Sequence, residues 1–141
     1  MSVLERETVH TVNDYCDGPR VGVADFKGQP HYFECIFDEA ADDWSSNFWL
    51  HSLEPETFNL VMENWSFWER WRDAFDDGKA DGHPCLPGDQ AKYQANTMVL
   101  KERLRIDRES DIRAQGLFEI VGPPGQPTNK RQWTVTWQEI P

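Results

Sequence analysis

Residues 55–78 read P-E-T-F-N-L-V-M-E-N-W-S-F-W-E-R-W-R-D-A-F-D-D-G. No Gly or Pro interrupts Thr57 to Phe75, so the segment can coil as one helix. Pro55 suits a first helical turn, where its missing N–H has no partner to lose, and Glu54 and Glu56 suit the positive end of the helix dipole. Gly78 is placed to end the helix in a left-handed cap. At about 100° per residue, Phe58, Val61, Met62, Trp65, Trp68 and Phe75 share one broad face.

Leu60, Phe67 and Trp71 extend that face to an arc of about 220°, wider than the roughly 100° a helix on a sheet needs. Two readings account for the extra stripe. Either a second helix or a loop covers it, or Leu60, Phe67 and Trp71 form a contact surface for another copy or a partner. Arg72 falls in the middle of the apolar face. Such an arginine stacks on Trp68 or Phe75 and pairs with a carboxylate from the β half, or it sits at the floor of an anion-binding pocket.

Working outward, the first third reads as β. Thr8 to Asn13 alternates, then Asn13-Asp14-Tyr15-Cys16-Asp17-Gly18-Pro19 breaks the pattern with turn formers. Arg20 to Phe26 resumes it, Lys27-Gly28-Gln29-Pro30 is a second turn, and His31 to Phe37 carries Phe33, Cys35 and Phe37 on one face, which predicts a hairpin. Asp38 to Ser46 reads as an acidic loop and Asn47 to Leu53 as a fourth strand. After a loop at Lys79 to Gly88, a polar second helix is expected over about Asp89 to Arg105, with Ala91, Ala95, Met98, Val99 and Leu104 inward. Ile112 to Val121 and Arg131 to Ile140 are two further strands, antiparallel to each other, separated by a segment that Pro123, Pro124 and Pro127 keep out of any ladder. The second of these strands puts Trp133, Val135 and Trp137 on one face.

The order ββββααββ predicts an α+β fold: a bent antiparallel sheet or partly open small barrel, packed on the long Trp-rich amphipathic helix. The 141 residues form one expected domain, 1–141, with no repeat and no linker that would divide it. Hydrophobic residues at 38%, with seven Trp and eight Phe, are too many for a disordered chain and predict an aromatic core.

The formal net charge is −11, from 25 acidic and 14 basic residues, which argues against nucleic acid and anionic membrane as partners. The basic runs 101–105 and Lys130-Arg131 are short and read as solvated surface. Cys16, Cys35 and Cys85 form no C-x-x-C and no even disulfide framework. The N-terminal residues lack the pattern of a signal peptide, so a cytoplasmic, reducing compartment is expected.

The stretch D-Y-x-D-G-P-R-x-G-x-A over Asp14 to Ala24, followed by G-x-P-H over Gly28 to His31 and the aromatics Tyr32 and Phe33, resembles a family of small bacterial proteins of uncharacterised function. The Trp-rich helical segment is similar as well. The resemblance brings no activity, cofactor or catalytic residue with it.

Chemistry-bearing residues concentrate around the Asp14–Arg20 turn. In one reading they are local turn chemistry, with Arg20 paired to an acid. In the other, Asp14, Asp17 and Arg20 rim a site that His31 and Glu34 reach from the hairpin, where a carboxylate and an imidazole act as acid and base. Tyr15 and Tyr32 are the rings of that region suited to ligand or partner contact. No nucleophile elbow, glycine-rich phosphate loop or H-E-x-x-H is present. His83-Pro84-Cys85 offers two zinc-type ligands where a structural site needs four, so neither metal nor cofactor is implied. The preferred expectation is a binding or interaction domain, self-associating or with a protein partner; the alternative is a small acid–base enzyme.

Overall fold

The computed structural model describes residues 4–80, 85–122, 125 and 132–141. The strands are β1 (Arg6–Tyr15), β2 (Pro19–Phe26), β3 (Gln29–Asp38), β4 (Asp43–Ser52), β5 (Ile112–Val121) and β6 (Gln132–Glu139); between β4 and β5 come α1 (Pro55–Asp76), a single 3-10 turn (Pro87–Asp89) and α2 (Gln90–Arg103). The order is the expected one. The chain divides into two compact units, Met1–Leu53 with Ile106–Pro141, and Glu54–Arg105.

The β unit is an antiparallel barrel in the order β1-β2-β3-β4-β5-β6, closed where a bent sheet or a partly open small barrel was expected. Closure runs through β1. Its first residues, Arg6 to Thr8, pair with Thr136 to Thr134 of β6, while Val9 to Tyr15 pair with β2. Register shifts after Val9 and Val12 bend the strand from one neighbour to the other. In the resulting ring every strand pairs with two neighbours, so no described strand is an edge along its whole length. β4 begins at Asp43, so the expected acidic loop of residues 38–46 shrinks to a tight connection between Asp38 and Asp43.

The lumen is aromatic. Phe33, Phe48, Phe118 and Trp137 contact one another in every combination, with ring centroids 5.2 to 6.1 Å apart. Trp137 Nε1 donates to the carbonyl of Asp25 at 3.0 Å, satisfying its one polar atom. Room for four large rings comes from small residues on the same inner face. Ala24 and Ala114 are fully buried among them, and a Cβ on Gly22 would strike the Thr11 carbonyl and the Phe33 ring. Side chains therefore fill the barrel.

The helical part is a pair, α1 of 22 residues and α2 of 14, rather than one dominant long helix. Pro55 opens α1, and Gly78 at φ 74° closes it, with Gly78 N–H donating to Phe75 O and Lys79 N–H to Ala74 O. That is a Schellman cap, which satisfies two otherwise orphaned carbonyls.

The inner positions differ from the helical-wheel expectation. Asn64 donates to Thr97 and to the Tyr93 carbonyl, and Arg70 pairs with Asp89 at 2.8 Å, so this stripe of α1 faces α2 and the 3-10 turn. Phe67 lies on it between them and is only 8% exposed, whereas Phe75, expected inside, is 48% exposed. On α2 the buried residues are Asn96 and Leu100, while Met98 and Val99 are exposed. Asn96 Nδ2 donates to Glu63 Oε1 at 2.7 Å and Asn64 Oδ1 at 3.1 Å, and this polar contact fixes which face of α2 turns inward. The expected Pro-rich turn before β6, the basic pair Lys130-Arg131 and His83-Pro84 lie outside the described residues.

Candidate functional site

The β1–β2 and β3–β4 connections share one end of the antiparallel meander with the paired strand ends Val121 and Gln132. At this end the inner rows of side chains emerge from the lumen as a rim of rings. Tyr15 and Trp133 stand with centroids 6.0 Å apart and planes tilted by 46°. Phe37 and Trp44 meet edge to face at 5.2 Å. Tyr15 is 40% exposed and Phe37 42%, and Ile120, paired with Trp133, is exposed beside them. The opposite end holds His31, Phe26 and the indole nitrogen of Trp137, all buried.

Arg20 ties the rim together. Its Nε donates to Cys16 O at 2.6 Å and one terminal nitrogen donates to Asp17 O at 3.1 Å, both on the β1–β2 turn. The other terminal nitrogen donates to Cys35 Sγ at 3.7 Å, and the guanidinium plane lies over Trp44 at 5.5 Å. The expected carboxylate partner of Arg20 is thus replaced by carbonyls, a thiol and an indole. The clamp holds a turn in which Asp17 and Gly18 both adopt positive φ. The Cys35 thiol also donates to Ser45 O at 3.3 Å. Burial pushes its acidity down, raising its pKa, against the smaller opposing pull of the Arg20 guanidinium.

The five acid–base candidates do not gather at one point. Asp14 and Asp17 are exposed at the rim turn. His31 belongs to the inner row of β3, at the far end of the barrel. Its Nδ1 lies 2.8 Å from the Gln29 carbonyl, which can only accept, so Nδ1 carries the proton, and its ring packs edge-on to Phe26. Glu34, three residues on, sits on the outer face and accepts from the Tyr32 hydroxyl at 3.1 Å. Strand alternation sends His31 and Glu34 to opposite sides of the wall. Tyr32 is half-buried, and its pKa is raised by burial first and by the charge and hydrogen bond of Glu34 second, which makes it a poor proton donor near neutrality.

On α1, Arg72 stacks over Trp68 at 5.2 Å, with Asp73 at 3.4 Å and Glu69 at 3.9 Å from its guanidinium. The stacking on Trp68 is the expected one, but these two carboxylates lie on α1 itself, where one from the β half was expected. Of the trio Leu60, Phe67 and Trp71, Phe67 is buried, with Arg70 over its ring, and Trp71 stacks on Phe75 at 5.0 Å. A contact surface built on all three is therefore not presented.

Two histidine–carboxylate pairs escaped the sequence reading. His10 Nε2 lies 2.8 Å from Asp25, and His51 Nδ1 lies 2.9 Å from both oxygens of Asp111. No spacing announces partners 15 and 60 residues apart; only the strand register does. Among the described residues, no group of three or more His, Cys, Asp or Glu converges on a metal-sized point, and no helix is long and apolar enough to cross a membrane. In comparisons with family models, curated proteins and solved structures, none matches the chain.

Proposed function

We propose that this protein is a non-catalytic binding domain that engages a protein partner through the aromatic rim of its barrel. The observation that carries the reading is the contrast between a lumen closed by four mutually packed rings and an end where Tyr15, Phe37 and Ile120 remain exposed. Aromatic side chains left in water beside a rigid frame are the residues from which interface anchors are built. Arg20 supports this by tying the β1–β2 turn to Cys35 and Trp44 on the neighbouring strands, which lowers the ordering cost of binding. The acid–base enzyme is the weaker reading, because His31 and Glu34 face opposite sides of the wall. The free thiols Cys16, Cys35 and Cys85 support a reducing, cytoplasmic setting.

A random-peptide display selection against the whole protein tests the proposal. Selected peptides should bind the wild type and lose about tenfold or more on Tyr15→Ala or Phe37→Ala, while Met98→Ala on α2 leaves them unchanged. Peptides that ignore both rim substitutions, or a selection that returns no binder, would overturn the reading.

A further inference from the structure

Building on the rim as the binding surface, we infer that its partner is a cationic polypeptide segment, with an arginine or lysine side chain packing on the exposed part of the Tyr15 ring beside Trp133. Two observations meet here. The first is the ring pair itself. Tyr15 is 40% exposed and stands against Trp133 at 6.0 Å with planes tilted by 46°, so part of its ring meets solvent beside a second ring. Aromatic faces attract cations, arginine most often. The rim already shows this chemistry internally, since the guanidinium of Arg20 lies over Trp44.

The second observation is the charge around the ring pair. Asp14 and Asp17 flank Tyr15 on one turn, and Asp38, Glu39, Asp42 and Asp43 occupy the other; all six are exposed. Asp38 accepts backbone N–H groups from Ala40 and Ala41, and Asp43 from Trp44, so these two also shape their turn. Among the described residues, no cationic side chain lies within ion-pair distance of any of the six. Arg20 reaches from the first turn to Cys35 and Trp44, on the two strands that carry the second. Carboxylates spread over two turns at one end suit several positive charges in sequence, which a peptide supplies and a lone amine does not. The same charges oppose a second copy docking rim to rim.

Titration of the whole protein with a nona-arginine peptide, followed by the Trp133 indole N–H in NMR spectra and by calorimetry, tests the inference. Nona-glutamate and a Gly-Ser nonapeptide serve as comparisons. Nona-arginine should shift the Trp133 signal and the other two should not. Tyr15→Ala should weaken binding by about fivefold or more, Tyr15→Phe should retain it, and Asp14→Asn with Asp17→Asn should weaken it by a similar factor. Binding that survives Tyr15→Ala unchanged is diffuse attraction to an acidic protein and overturns the inference. Silence toward nona-arginine, while displayed uncharged peptides still depend on Tyr15 and Phe37, overturns the cationic partner and leaves the binding-domain reading standing. Failure of both kinds of peptide at the rim sinks both. A dimer in sedimentation that buries Tyr15 makes a second copy the occupant and likewise overturns the inference.

Discussion

Gly116 of β5 lies directly against the indole of Trp137 on β6: a Cβ placed on Gly116 would stand 2.5 Å from ring carbon Cζ3 and 3.1 Å from Phe48 Cδ1. Neither ring can retreat, because each is held by the other lumen aromatics. Gly116→Ala should therefore destabilise the protein by about 1–3 kcal/mol, the usual range for overpacking. Gly88→Ala, where nothing lies within 4 Å, should cost little. Urea unfolding of the two variants checks the contrast.

The Asp111 carboxylate accepts from His51 at 2.9 Å and from the Asp107 backbone N–H at 2.7 Å, with only 9% of its side chain exposed. Asp111→Ala leaves both donors short of an acceptor. The expected loss is about 1–3 kcal/mol. His51→Ala combined with Asp111→Ala should cost less than the sum of the two single changes, which a double-mutant cycle measures.

Asp107 accepts from Glu109 N–H at 3.0 Å and from the Ser110 hydroxyl at 2.8 Å, and these hydrogen bonds hold its carboxyl below the ordinary carboxylate range. A depressed folded pKa means stabilisation that is fully present above the unfolded value and lost as pH falls through the folded one. The turn into β5 should thus keep its native amide signals at Glu109 and Ser110 until the pH is below ordinary carboxylate titration. Loss of those signals at the usual aspartate midpoint would contradict the assignment.

Thiol chemistry should separate the cysteines. Cys16 is exposed, whereas Cys35 and Cys85 are buried, and burial raises both of their thiol pKa values. A disulfide-exchange reagent at mildly alkaline pH should label Cys16 quickly, and the other two only after unfolding. Rapid modification of all three in the native protein would show that the Arg20 clamp and the Cys85 environment open readily.

Much of the fold was legible because it is written locally. Alternation gave the inner row Phe33 and Cys35, and likewise Val135 and Trp137, which are buried as the pattern requires. Pro55 and Gly78 marked the bounds of α1. Barrel closure was not legible, because it joins Arg6 to Thr136 through bulges in β1 that leave no compositional mark. The inner face of α2 was misread because Asn96, a polar residue, occupies it in place of Met98 and Val99. Of the candidate site, Tyr15 and Arg20 were identified, but the rim was not. Trp44 was assigned to a loop and Trp133 to one face of the last strand, and only the register brings them to one end with Tyr15.

Leu50 and Ile112 face each other across the β4–β5 ladder, and both strands continue from there without a break. The chain from Glu54 to Arg105 therefore departs from the barrel and rejoins it at adjacent points, as a hairpin loop would. In architectural terms the helical pair is a graft on an otherwise uninterrupted meander. A segment that leaves and re-enters a sheet at paired neighbours adds no residue to any ladder, which is the setting in which insertions are best accommodated.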